Sequence, residues 1–399
     1  MTILNAKNGR ITAGGRPVHL RGVNLGGWLM PEAYFMQAPN RPVSLFRRGF
    51  AKACGEAALR ELETRFRDTF IVKEDLARIA ALGFNSIRLP FHFNVIEESP
   101  YVYSSDGLAY LDRAIRWAKA YQLRVILDMH AAPGAQNHDW HSDSNGQAKF
   151  WTSRAFQKRA SALWEFLADR YKDEPAIAGY DVLNETVLDP QRTGLMNRYY
   201  HAAIKAIRSS DKQHIIFLEG NRWAQDIVCL DDFKDDNLAF SFHFYEPLEF
   251  TFNFVPGLRY PLIGKRARWD KAFMRGRIEQ MVRVAKQRGR ALWCGEFGVH
   301  ARGGLYGEDA WVKDIVGLFN THDIHWSYWT WKAVKNVMFP DGMNSYLPND
   351  PWINRGGPLT GWETWHLHWK DKKKAMVASW KTDAFTPNKE IIKALRKGL

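Results

Sequence analysis

The chain has 399 residues, 46% of them apolar, and a formal net charge of +13. That length suits one α/β barrel with insertions better than a string of small domains. Three cysteines exclude a disulfide framework, and no run of about 18 apolar residues is present to span a bilayer. The basic residues are dispersed along helical stretches such as 265–290, with no nucleic-acid motif beside them. A solvated basic surface is therefore expected, with no nucleic-acid partner. The opening MTILNAKNGRIT lacks the charged-then-apolar pattern of a secretory leader. As written the chain reads as cytoplasmic, or as secreted with its signal removed.

Residues 3–20 show short runs split by Asn-Gly and Gly-Gly, a hairpin signature. Residues 18–25 (VHLRGVNL) form the first strong strand. A long connection, 30–72, mixes Pro, Gly and helical patches and reads as a lid or rim. From residue 73 the chain alternates. Helices are expected over 73–82, 107–121, 153–172, 193–209, 270–288, 308–321 and 388–397. Strands are expected over 85–91, 124–130, 177–185, 215–221, 238–245, 291–298 and 324–331. With 18–25 that makes eight strands, continuous in apolar character, as in a parallel sheet covered on both faces. The fold class is α/β: a (β/α)8 TIM barrel with an N-terminal hairpin and long rim loops, one domain over 1–399. An open doubly wound sheet is the alternative, but no Gly-rich phosphate loop follows an early strand.

A barrel does its chemistry at the C-terminal ends of its strands. Those ends carry Arg88, His130, Asn184 and Glu185, His243 and Tyr245, Glu296, and Trp329 and Trp331. Any one of them alone is ordinary. So many polar groups on one rim must pair or act, because burying them unpaired is costly. Two strand-end glutamates, with no cysteine nucleophile or phosphate loop, point to glycosidic bond cleavage. One acid must donate a proton to the leaving oxygen while the other stays ionised. Arg88 and Tyr245 suit the second task, by charge and by hydrogen bond. Asn184 is placed to grip a ring hydroxyl, and an aromatic ending the last strand to floor the sugar. Seventeen tryptophans fit sugar stacking.

FNSIRLPF, LDMH, DVLNE, HFY, GEFG and YWTWK occur here in this order. As an ordered set they resemble glycoside hydrolase family 5, from Arg21 to about Lys332. RGVNLGGWL with Glu32 shortly after, and PGAQN at 133–137, are similar to its exo-β-1,3-glucanase branch. The resemblance implies a two-glutamate retaining mechanism with Glu185 as acid/base and Glu296 as nucleophile. It places Arg88, His130, Asn184, His243 and Tyr245 around the cleaved unit, Trp329 as platform, and Glu32 on far-side hydroxyls. It implies no cofactor, no catalytic metal, and a β-linked oligo- or polysaccharide or β-glucoside as substrate, with β-1,3-glucan favoured. A monomer is expected. Thr186 stands where many relatives have proline.

HDWHSD (138–143) holds side chains of metal-ligand type, as does the pair His366 and His368, but it reads as a substrate-binding loop, since an acid/base glycosidase needs no metal. The Trp-rich insert 333–386 would suit an acceptor groove if the enzyme were a transglycosidase or a glycolipid-type β-glucosidase. A non-catalytic carbohydrate-binding barrel and a metal-dependent hydrolase using His130 and His243 are the other readings.

Overall fold

The structure is a computed structural model that describes residues 1–264, 268–346 and 361–399. Eight parallel strands close into a barrel: β1 Arg21–Asn24, β2 Ser86–His92, β3 Arg124–Ala131, β4 Ile177–Asp181, β5 Ile215–Glu219, β6 Leu238–Phe244, β7 Ala291–Phe297 and β8 His325–Tyr328. Neighbours follow chain order, and β8 closes on β1 with Trp326 opposite Arg21. Every residue of β2, β6 and β7 is buried, since one side faces the barrel interior and the other the helix layer.

The longer helices are α1 Val43–Cys54, α2 Glu56–Phe70, α3 Lys73–Ala81, α4 Ser105–Ala120, α5 Arg154–Tyr171, α6 Thr193–Ser210, α7 Lys271–Gln287, α8 Glu308–Thr321, α9 Trp365–Ser379 and α10 Lys389–Arg396. Their apolar spacing explains them. In α6, Met196, Tyr199, Tyr200, Ala203 and Ile207 recur every three or four residues and are buried. Ser104 and Asp270 cap α4 and α7 by accepting the Gly107 and Phe273 N–H groups at 3.3 and 3.0 Å. No described helix is long and apolar enough to cross a membrane.

The N-terminal hairpin gains a third short strand, giving a sheet of Leu4–Lys7, Arg10–Ala13 and Arg16–Pro17. Its Leu4, Ala6 and Ile11 join Leu20, Ile126, Phe217 and Trp293 in an apolar cluster separate from the main core. Ala6 N–H bonds to Asn237 and Gly9 N–H to Gly289, just ahead of β6 and β7. The sheet therefore plugs the N-terminal end of the barrel and leaves the other end for chemistry.

Two expectations need correction. The connection 30–72 is not a loop but largely α1 and α2, against which α9 packs. The described tryptophans of the 333–386 insert form no acceptor groove beside the strand ends; Trp362 and Trp365 border only a small cavity against Phe46 and Phe66. Trp362, Trp365 and Trp369 are buried; Trp362 stacks on Phe46 with centroids 4.8 Å apart, and Trp369 meets Phe50 edge-on at 6.0 Å. With Phe66 beside Trp365, these rings form the core of a helical layer outside the barrel. Trp352 lies outside the described residues.

Gly179 sits where β4 lies tightest against β5. A Cβ there would fall 2.2 Å from the Ile215 carbonyl oxygen, its partner in the ladder. Gly179→Ala is expected to lower stability by about 3 kcal/mol, as overpacking against backbone does. Urea unfolding checks this; an unchanged midpoint would contradict it.

Candidate active site

The site is built around Arg88, which β2 delivers wholly buried to the barrel axis. Its Nε donates to Asp181 at 2.9 Å and its Nη1 to Glu296 Oε1 at 2.5 Å and Asn24 at 3.3 Å. Its Nη2 donates to Asn184 Oδ1 at 2.8 Å and Glu219 Oε1 at 3.0 Å, and lies 3.0 Å from Asp128 Oδ2. Only a guanidinium supplies five donors in one plane. Burial works against its charge, but Asp128, Asp181, Glu296 and Glu219 outweigh burial and hold it protonated. Asp181 is driven well above the ordinary carboxylate range by burial and by Glu219 beside it. Burial would raise Glu219 too, yet His243 and Arg88 hold it down at about 2.

The segment after β4 carries the first glutamate. β4 ends at Asp181, not at 185 as the apolar run suggests, because side chains take over the backbone of the next residues. Gln136 Nε2 donates to the Asn184 carbonyl at 2.9 Å and Asn137 Nδ2 to the Glu185 carbonyl at 2.8 Å. Glu219 Oε2 accepts the Glu185 N–H at 2.6 Å. Together they hold Glu185 at φ 45°, a left-handed conformation that a non-glycine residue keeps only when its surroundings impose it. Beyond it, Thr186 is buried and its carbonyl accepts the Trp223 N–H at 3.2 Å, so the loop returns toward the residues after β5.

The two glutamates face each other. One oxygen of Glu185, one of Glu296 and a nitrogen of His243 all lie within 4.8 Å of one another. Glu296 accepts from Arg88 through Oε1 and from the Tyr245 hydroxyl through Oε2 at 2.8 Å. Glu185 meets two imidazoles: His243 Nδ1 at 2.8 Å from Oε1 and His141 Nε2 at 3.2 Å from Oε2. Burial raises Glu185, while the His243 hydrogen bond and the charge of a protonated His141 pull it below the ordinary range. Burial raises Glu296 as well, and His243 and Arg88 only partly offset it. Those directions would put the proton on Glu296. The contacts argue the reverse, since Glu296 is gripped by a guanidinium that cannot be deprotonated and by the Tyr245 hydroxyl, whereas Glu185 meets only imidazoles.

His130 donates from Nδ1 to Asp128 at 2.7 Å, and its ring lies parallel to Trp329 with centroids 5.4 Å apart. Burial lowers His130, but Asp128 and Glu32 raise it to about 10. Trp329 is fixed by its Nε1, which donates to the Tyr34 hydroxyl at 2.5 Å. Above these groups opens a cleft of about 430 Å³. Glu32, Tyr34, His130, Glu185, Tyr245, Glu296 and Trp329 line it, and Trp140, Trp223, Phe252 and Phe339 form its outer walls.

The family model described as Cellulase (glycosyl hydrolase family 5) matches residues 50–335. The chain belongs to glycosyl hydrolase family 5. It is 34% identical over 335 residues to a β-xylosidase of Phanerodontia chrysosporium, covering 80% of this chain and 68% of that one. It is 29% identical over 351 residues to endoglucanase C of Acetivibrio thermocellus, covering 78% and 91%. Other relatives are named cellodextrinase A and probable glucan 1,3-β-glucosidase A. Among solved structures, endoglucanase Cel5A of Thermotoga maritima aligns with a TM-score of 0.63 at 21% identity, over 94% of this chain and 96% of that one, a likeness of fold.

In this family 5 glycoside hydrolase every strand-end residue singled out above except Trp331 meets at one rim. Arg88, Asn184 and His243 lie just beneath the cleft, touching its lining residues. Trp331 turns away and donates to buried Asp75 at 2.8 Å, because β8 already ends at Tyr328. HDWHSD splits. Asp139, Trp140 and His141 line the cleft, while Asp143 accepts the Ser44 N–H at 2.8 Å and contacts His92 at 3.1 Å.

The enzyme also uses residues the sequence reading passed over: Asn24, Asp128, Asp181 and Glu219 around Arg88, and Gln136 and Asn137 behind Glu185. Charges inside apolar strands were the available signal. Asp128 shares the period-2 face of His130, and Glu219 ends the fifth strand as Glu296 nearly ends the seventh.

Proposed function

We propose that this enzyme is a retaining β-glycoside hydrolase acting on β-glucans or β-glucosides, with Glu296 as nucleophile and Glu185 as acid/base. The approach of the two glutamates within 4.8 Å carries the reading. So close an approach of one oxygen from each favours retaining enzymes, whose carboxyls stand roughly 5–5.5 Å apart, over inverting ones, whose carboxyls stand some 6.5–9.5 Å apart. Glu296, gripped by Arg88 and Tyr245, attacks the anomeric carbon as a carboxylate. Glu185 protonates the leaving oxygen, then takes a proton from the water that releases the sugar.

Around the sugar, Asn184 gives its Oδ1 to Arg88 and sets its Nδ2 3.4 Å from His130 Nε2, which leaves one Nδ2 hydrogen for a ring hydroxyl. Glu32 Oε1, 3.7 Å from His130 Nε2, is buried and takes no hydrogen bond among the described residues. Such a buried acceptor suits a sugar hydroxyl. β-1,3-glucan is the favoured polymer. The motifs around Glu32 and at 133–137 support it, and Gln136 and Asn137 of the second motif grip the backbone at the catalytic acid.

An NMR time course on an aryl β-glucoside and on a β-1,3-gluco-oligosaccharide tests the mechanism. The first-formed sugar is expected to be the β-anomer, and an α-anomer appearing first would refute retention. Turnover of β-1,4-linked oligosaccharides with none of β-1,3-linked ones would overturn the linkage.

A further inference from the structure

The Asn137 amide is oriented by two contacts. Its Oδ1 accepts the Asp139 N–H at 2.9 Å, and its Nδ2 donates to the Glu185 carbonyl at 2.8 Å. Turning the amide over would set oxygen against oxygen and N–H against N–H, so both bonds fix one orientation. Its second Nδ2 hydrogen then meets His141 Nε2, also at 2.8 Å. A nitrogen that accepts there carries a lone pair and no proton. The same Nε2 stands 3.2 Å from Glu185 Oε2, so with no proton of its own it shares its single lone pair between the Asn137 N–H and a hydrogen on Oε2.

We propose that Asn137 and His141 act as a positioning pair that holds the acid proton on Glu185 Oε2. The inference rests on Glu185 being the acid/base and explains why it is protonated beside imidazolium His243. His243 donates to Oε1, which accepts as the carbonyl oxygen of a carboxylic acid, while Oε2–H points to His141. If His141 were instead protonated, its Nε2–H would confront the Asn137 N–H across 2.8 Å, a repulsion that pushes the proton back onto Glu185. The downward pull on Glu185 that comes from a charged His141 is the part this contact removes.

During reaction the Oε2–H bond turns from His141 to the glycosidic oxygen. That oxygen takes the proton as its bond to the anomeric carbon breaks with the electron pair, and it leaves as an alcohol. Glu185 is then a carboxylate facing the lone pair of His141, an arrangement relieved when it takes a proton from the attacking water. His141 itself stays neutral throughout.

The other ionisable groups around Glu185 are His243 from β6, Tyr245 just after it, Glu219 from β5 through the Glu185 N–H, Glu296 from β7, and Glu32, Tyr34, Asp139, Arg222 and His130 about the cleft. None of them is altered in the test. The basic limb of kcat/KM for an aryl β-glucoside with a poor leaving group reports loss of the Glu185 proton. His141→Ala, which lets water replace the acceptor, is expected to move this limb down by about one pH unit. A charged, donating His141 demands the opposite, and an upward move would overturn the proposal. An unmoved limb would reduce His141 to a structural role and overturn it equally. Asn137→Asp, whose carboxylate favours the protonated ring, is expected to move the limb down as well. In the unaltered enzyme, 15N NMR is expected to show His141 Nε2 unprotonated at neutral pH; a protonated Nε2 would sink the proposal. The NMR readout needs no turnover, so it decides the lock separately from the functional reading, which fails if the unaltered enzyme cleaves no β-glycoside.

Discussion

Glu296→Ala is expected to abolish turnover, lowering kcat by on the order of 10⁴-fold or more, as loss of a nucleophile does elsewhere. The protein should still fold, since the change removes one of several acids around Arg88 rather than the guanidinium itself. Added azide should enter the vacated space and attack the anomeric carbon directly, displacing the leaving group with inversion to give an α-glycosyl azide. Glu185→Ala should behave differently. Substrates whose leaving group needs no proton should still form the glycosyl–Glu296 ester, and azide should trap that ester as the β-glycosyl azide. Product NMR separates the two. If the azide products appear with the mutants exchanged, the roles assigned to Glu185 and Glu296 are reversed.

Arg88→Met is expected to have the largest effect on stability. It leaves Asp128, Asp181, Glu219 and Glu296 buried around a neutral side chain, and breaking a buried ion pair from one side costs about 3–5 kcal/mol. The gain in stability as pH falls should also grow, because Asp181 already lies well above the ordinary range in the unaltered enzyme and the other carboxyls should move the same way. In the unaltered enzyme Glu219 sits at about 2, below its ordinary 4.5. A depressed carboxyl contributes stability that is full above its unfolded value and is lost as pH falls through its folded value. Without Arg88 the clustered carboxyls lose a shared counter-charge and their folded values rise. Where they exceed the unfolded values, stability increases as pH falls, because the folded state then binds more protons. Urea unfolding at pH 7 and pH 5 measures both effects. An Arg88→Met midpoint equal to that of the unaltered enzyme at pH 7 would show that the cluster is neutralised in some other way.

The axial position of Arg88 explains why much of the site was legible beforehand. Strand-end residues are placed by the barrel itself, so a strand recognised from its apolar run delivers its last side chains to a known rim. Glu296 and His130 follow from β7 and β3 in that way, whereas Arg88, third of the seven residues of β2, reaches the site from deeper in the barrel. The helices α3 to α8 and α10, but not α9, were legible for a similar local reason, their three-to-four spacing of apolar residues. Misreading began where local pattern and long-range packing diverge. The tryptophans of α9 look like sugar platforms in isolation, and only α1 and α2, three hundred residues earlier in the chain, make them core.

The seam between β6 and β7 shows where the sequence stops deciding. HFY and GEFG are each readable as strand ends, but their mutual register is not. Phe242 pairs with Cys294, then the ladder slips, and His243 pairs with Glu296. The residue passed over is Gly295, where a Cβ would lie 3.0 Å from His243 Nε2. That slip brings His243 between the two glutamates, and no local preference encodes it. Sequence by itself determined the eight-fold alternation, the rim and the residues that stand on it, because these depend on side-chain periodicity within single elements. Tertiary structure alone decided that Asp128, Asp181 and Glu219 converge on Arg88, that Gln136 and Asn137 clamp the backbone of Asn184 and Glu185, and that His141 reaches the acid. Each of these is a hydrogen bond or ion pair between segments remote in the chain, and its geometry exists only once barrel closure has fixed their register.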